Sequence, residues 1–393
     1  MPNSKQPRTP EDTAHQLCRL IGQPQASPGV ANVDWPRLYA VAEAQGLAPM
    51  LHYSACQHDL RTDIDATTWA ALEQSARQAA LEYALAAREQ NRIAGALADA
   101  GIRVLWLKGL AVAQTLYPEP YRRPMVDLDL LVPDAQREAA LDVMLALGYV
   151  IEADESKMLL AASPAIMRKL AHHVVLSKSS AGAVMVELHY RLGSYLSMGP
   201  IVDPTPWIWD QAVVSDDGAL TLASEALLLY LCAHAALQHG DQEATLKHYL
   251  DIHLLISAYS FDWDTVIAQA VALRWALATE HSLRKVSELF GTHIPDAVIE
   301  SLRRGRAPEE DADRFARLQR TGALVVRVDD MLRQLTFRER LWLIGRLLLP
   351  STAYMRQRYQ IAPGQSVWPY YGVRWWRQAQ QVGQWAYHRL RNR

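Results

Sequence analysis

Asp127 and Asp129 stand one residue apart in MVDLDLLV (125–132), among Met125, Val126, Leu128, Leu130, Leu131 and Val132. In a strand, residues i and i+2 face the same way, so two carboxylates project together from an apolar setting. Like charges that close raise one another's pKa unless a cation sits between them. The economical cation is Mg²⁺, with Mn²⁺ able to take its place. Either takes carboxylate oxygens, and Mg²⁺ commonly shares itself with substrate phosphates. A third acid on a neighbouring strand completes a two-ion site. Glu187, in VMVELHY (184–190), is the candidate, again one acid in an apolar run. The competing reading is a strand-end pair that faces water or binds Arg122 and Arg123. Upstream, a strand ending at Lys108-Gly109 and entering a helix offers backbone N–H groups to a phosphate. Lys108 adds a point charge, and Arg123 offers a planar fork for phosphate oxygens. His189 shares Glu187's face and is placed with the nucleotide contacts, against a satisfied core histidine as the alternative.

These residues need elements to hold them. Residues 1–10 are polar, carry three prolines and read as disordered. Residues 11–100 read as a helical N-terminal region, ending in a long Ala-rich helix from Trp69 that Thr67 or Thr68 caps and Gly101 stops. Residues 101–200 change texture. IRVLWLKG and Val126–Val132 read as strands, Gly109–Tyr117 and Asp134–Leu147 as helices, and 172–190 as a hairpin broken at Ser179–Gly182. Residues 201–348 read as helices over Leu220–Gln238, Gln242–Ser257, Trp263–Ala278, His281–Phe290, 296–304 and 311–348. Residues 349–393 form an Arg/Trp-rich tail. The fold class is therefore α/β (α+β), a small mixed sheet flanked by helical regions.

The order strand–KG–helix, D-x-D on the next strand, then an acid on a later strand resembles the nucleotidyltransferase β superfamily. More narrowly, LKGLAVAQTLYPEPYRRPMVDLDLLV followed by VELHYRL looks like the family of uncharacterised nucleotidyltransferases. The wider superfamily commonly has Gly-Ser where this chain has Lys108-Gly109. The resemblance implies a metal-dependent transfer of a nucleotidyl group from an NTP to an acceptor hydroxyl, with release of pyrophosphate. It implies Asp127, Asp129 and Glu187 as catalytic metal ligands, and Lys108, Gly109 and Arg123 along the triphosphate. It leaves the acceptor open between a peptide or protein, a small molecule and an RNA end. Relatives of this type often accompany peptide-modifying functions, so peptide modification is one implied role. Two other readings stand beside it: a non-catalytic nucleotide-binding or partner module, and a toxin-type enzyme acting on tRNA or protein.

Composition bounds the rest. A net charge of −2 gives no global attraction to nucleic acid, which favours a peptide or protein hydroxyl over RNA as acceptor. Three scattered cysteines fit a reducing compartment, and the polar N-terminus lacks a signal peptide's apolar core, so the expected location is cytoplasmic. No P-loop, dinucleotide-binding or serine-hydrolase motif is present. His172, His173, His234, His239 and His248 lack the usual zinc-ligand spacing and are not expected to ligate metal, while His234 and Asp251 are expected to join the C-terminal helices to the α/β unit. The tail WPYYGVRWWRQAQQVGQWAYHRLRNR has five arginines and no acid. It reads as a packed helix first, and otherwise as a contact for an anionic membrane surface or a protein groove.

Overall fold

The computed structural model describes residues 10–22, 33–125, 127–152, 172–178, 184–192, 203–215, 218–305, 309–321, 335–362, 364–377 and 380. Val126, the Ser179–Gly182 break and residues 1–9, 322–334 and 381–393 of the sequence expectations lie outside them. The described residues fall into two compact units, one within Met1–Ile151 and His172–Val328, the other within Glu152–Ala171 and Asp329–Arg393.

In the first unit, α1 (Pro10–Gly22), α2 (Trp35–Ala44), α3 (Ala48–Gln57) and α4 (Ala66–Asp99) precede the sheet. At 34 residues, α4 runs about 50 Å. It buries one stripe, Leu72, Ala76, Ala79, Ala86, Gln90, Ile93 and Leu97, at three-, four- and seven-residue steps. Its cap is Asp65, whose carboxylate accepts from Thr68 N–H at 2.9 Å, rather than either threonine. Gly101 ends it in a left-handed conformation at φ +68°.

The sheet comprises β1 (Leu105–Trp106), β2 (Asp127–Leu131), β3 (Val150–Ile151), β4 (His173–Ser177), β5 (Met185–His189), β6 (Ala212–Val214) and β7 (Leu220–Leu222). Their order is β3-β4-β5-β2-β1-β7-β6. Central β2 pairs antiparallel with β1 and parallel with β5. Helices α5 (Leu110–Leu116) and α6 (Arg137–Ala146) follow β1 and β2.

Several helical expectations give way: Gln242–Ser257 breaks at Ala244 and Thr245, and 311–348 is interrupted at Leu335 and Thr336. Leu220–Leu222 is a strand beside β1, and the helix starts only at Ser224. Its run LTLASEALLLYL is mostly apolar, with no clear alternation to separate a three-residue strand from a helix start. The stretch Trp263–Ala278 is divided between helices Trp263–Ala272 and Ala276–Phe290, with Arg274 between them at φ +60°. One buried core joins α1–α3, β1, α5 and the helices from Ser224 to Leu318, including Leu17, Met50, Leu105, Leu228, Leu250 and Leu283.

In the second unit, helix Phe337–Leu348 begins with a capping box between Thr336 and Glu339. Tyr354, Met355, Ile361, Val367 and Tyr371 form a small core of their own. Trp375 Nε1 donates to Leu348 O at 2.7 Å, while Trp368 and Trp376 are exposed. No helix among the described residues is long and apolar enough to cross a membrane.

Candidate active site

Strand β2 alternates: Leu128 and Leu130 fill one face, Asp127 and Asp129 the other. β5 alternates in step, with Val186 and Leu188 opposite Glu187 and His189. The parallel register aligns Leu128 with Val186, Leu130 with Leu188, and Asp129 with Glu187. The apolar ladder on the far face therefore fixes the acids as neighbours, because a one-residue slip would turn every acid into the core.

The near face is a dense polar cluster. His189 Nε2 lies 3.3 Å from Asp129 Oδ1 and 3.2 Å from Glu187 Oε2. One ligand atom from each of the three lies within 4.8 Å of the others. Lys108 Nζ is 3.3 Å from Asp129 Oδ1. Asp129 is 1% exposed, and Glu187 keeps some contact with solvent. His189 Nδ1 is buried with no hydrogen-bond partner among the described residues.

The electrostatics follow from this placement. Burial works against the Asp129 charge, but Lys108 and His189 outweigh it and hold the carboxyl well below its usual range. Asp127 has less relief. Burial, then Asp129 and to a lesser degree Glu187, push it up to about 6, against some help from Lys108. Burial would discharge His189, yet its bonds to Asp129 and Glu187 leave it raised. Three carboxylates that raise one of their own number fit a divalent cation, and an oxygen set suits a hard ion.

A titration follows from Asp127. A carboxyl whose folded pKa exceeds its unfolded one binds protons more tightly when folded, so it adds stability as pH falls through about 6 and costs stability at neutral pH. A shift of roughly two units corresponds to at most about 3 kcal/mol. In chelator, the stability difference between wild type and Asp127→Asn should swing in favour of the variant as pH rises from about 5 to about 7. Urea denaturation at each pH measures it, and saturating Mg²⁺ should remove the swing. Parallel curves in chelator would mean that Asp127 bears no strain.

The phosphate-side residues are divided. Lys108 and Gly109 stand at the exit of β1, with Gly109 at φ +65° and ψ −108°, a conformation for glycine. α5 is only seven residues long, so its dipole is small and the Lys108 charge dominates. Arg123 is not open to a ligand as expected. It is buried in a two-point pair with Asp251, Nε at 2.9 Å and the second nitrogen at 2.7 Å. Tyr117 Oη donates to the same carboxylate at 2.8 Å. Arg122 binds Glu119 and Pro49 O, so neither arginine neutralises the aspartate pair. Asp251 and His234 do join the later helices to the sheet: His234 Nε2 lies 3.4 Å from Lys108 Nζ.

Lys247 was not singled out in the sequence. Its Nζ donates to Pro124 O at 3.0 Å. Burial and Arg123 lower it to about 8, against the pull of Asp251 and Asp127. A clue was present: Lys247 sits in the first turn of helix Leu246–Ala258, where a cation opposes the helix dipole. Three of the five histidines weighed in the sequence, His234, His239 and His248, converge.

The family model described as uncharacterised nucleotidyltransferase matches residues 31–291, which include all seven strands and both lysines. No curated protein and no solved structure matches the chain. The chain belongs to this uncharacterised nucleotidyltransferase family, and its general activity is the transfer of a nucleotidyl group from a nucleoside triphosphate.

Proposed function

We propose that Asp127, Asp129 and Glu187 hold divalent metal, Mg²⁺ or Mn²⁺, and that the protein moves a nucleotidyl group from an NTP to a hydroxyl of a peptide or protein. The observation that carries this reading is the β2–β5 register, which sets Glu187 directly beside Asp129 with Asp127 on the same face. A metal held by these three carboxylates would supply charge neutralisation for the phosphate and lower the pKa of the acceptor hydroxyl.

The chain's own groups do the rest. Lys108, tethered to Asp129, faces the phosphates and offsets charge that builds on the departing pyrophosphate. Lys247 reaches the same region from the helical side. The acceptor oxygen forms its bond to the α-phosphorus as the bond to the bridging oxygen breaks, and pyrophosphate leaves. The acceptor proton passes to Glu187, which keeps contact with solvent. His189 Nε2, between Asp129 and Glu187, fixes their orientation while Nδ1 stays unbonded.

The test is incubation of the pure protein with each α-labelled NTP, Mg²⁺ or Mn²⁺, and a cell lysate. The expected result is label in a protease-sensitive fraction with pyrophosphate release. Label in a nuclease-sensitive fraction would move the acceptor to RNA. Metal-dependent NTP binding without any transfer would favour a non-catalytic nucleotide-binding module.

A further inference from the structure

His234 and His239 are five residues apart, and an α-helix would point them about 140° from each other. The chain avoids this by widening into a π-turn over His234–His239, which returns residue i+5 towards the same face. π-Turns are rare and frequently sit at functional sites. His248 enters from helix Leu246–Ala258. One ring nitrogen from each histidine lies within 4.8 Å of the other two.

The local geometry is that of ligands. His239 Nε2 and His234 Nε2 are 3.3 Å apart, about the separation of two nitrogens bound at ~2.0–2.1 Å to one tetrahedral ion. His234 Nδ1 donates to Gln238 Oε1, which fixes the tautomer and leaves Nε2 as the lone pair. Thr245 N–H donates to His248 Nδ1 at 3.0 Å, so the helix cap seats this ring, and His248 gives up that bond or a proton when an ion binds. Burial, with Lys108 for His234 and with His239 for His248, pushes both imidazoles well below their usual range. Their nitrogens are therefore uncharged at neutral pH, as metal ligation requires.

We propose that His234, His239 and His248 form a second metal site, for a transition-metal ion of the zinc class. Three neutral nitrogens and no carboxylate do not suit Mg²⁺, so the two centres select different ions. Lys108 stands between them, 3.4 Å from His234 Nε2 and 3.3 Å from Asp129 Oδ1. An ion on the imidazoles displaces Lys108 from His234 and leaves its charge to Asp129 and an incoming phosphate. The site stands whether or not the nucleotidyl reading above holds.

The test titrates the full, chelator-treated chain with Co²⁺ and then Zn²⁺ in excess Mg²⁺. Wild type should show visible absorption of a four-coordinate nitrogen site at one equivalent, bleached by Zn²⁺. His239→Ala and His248→Gln should each weaken binding at least about tenfold, and Gln238→Ala, which keeps every ligand, about 10- to 100-fold. Glu187→Gln should leave the signal intact, which separates it from the carboxylate centre. Unchanged metal-free melting confirms that each variant is folded. No absorption in wild type, or absorption that survives His239→Ala and His248→Gln in folded protein, would overturn the site. So would metal-free binding of inorganic pyrophosphate lost in the same variants, which would make the cluster an anion site.

Discussion

Asp129→Asn is expected to reduce nucleotidyl transfer about 10²- to 10³-fold, the scale on which one preorganised charge stabiliser acts. The substitution is nearly isosteric, and the backbone bond from Leu107 N–H to Asp129 O is untouched. What disappears is the charge that Lys108, 3.3 Å away, and His189, 3.3 Å away, are arranged around. An amide cannot neutralise a divalent ion, and it leaves Lys108 without its carboxylate partner. The loss should fall on kcat more than on KM for NTP, because the charge is used most as the phosphoryl group transfers. Label incorporation from the α-labelled NTP, followed over time with the wild-type acceptor, measures both. A residual rate within tenfold of wild type would remove Asp129 from the chemistry.

Asp251→Ala is expected to destabilise the protein by about 3–5 kcal/mol, since it leaves a buried guanidinium unpaired. Arg123 and Asp251 are both buried, and Tyr117 Oη loses its acceptor in the same step. Burial opposes the Arg123 charge, and Asp251 more than offsets that, so the arginine stays cationic. The double change Arg123→Met with Asp251→Leu should recover much of the loss, because it removes both charges from the interior. Urea denaturation at constant m separates the two outcomes. A loss below about 1 kcal/mol for Asp251→Ala would mean that Arg123 finds another anion, as its expected role at phosphate would require.

The arrangement also shows which parts of such a site a sequence can carry. Asp127, Asp129 and Glu187 stand out because each is an acid in an apolar strand; period two puts the two aspartates on one face, and the strand register brings Glu187 beside them. Lys108-Gly109 stands out because a glycine turn joins strand and helix. All of this is local. The partner of Arg123 is 128 residues away, and a planar fork suits a phosphate and a carboxylate equally well. Lys247 and the imidazole cluster depend on how helices Ser224–Ala233 and Leu246–Ala258 seat against the sheet. A five-residue histidine spacing acquires meaning only once a π-turn is known. Leu220–Leu222 becomes a strand because β1 offers an open edge, which no propensity records.

The most direct measurement is a crystal of the full chain grown with Mn²⁺ and an NTP analogue that resists cleavage between its α- and β-phosphates, with anomalous scattering collected for manganese. Manganese should lie among the Asp127, Asp129 and Glu187 oxygens, beside the α-phosphate, with Lys108 on the phosphate chain. Manganese and nucleotide found elsewhere, with His189 still joining Asp129 and Glu187, would contradict it.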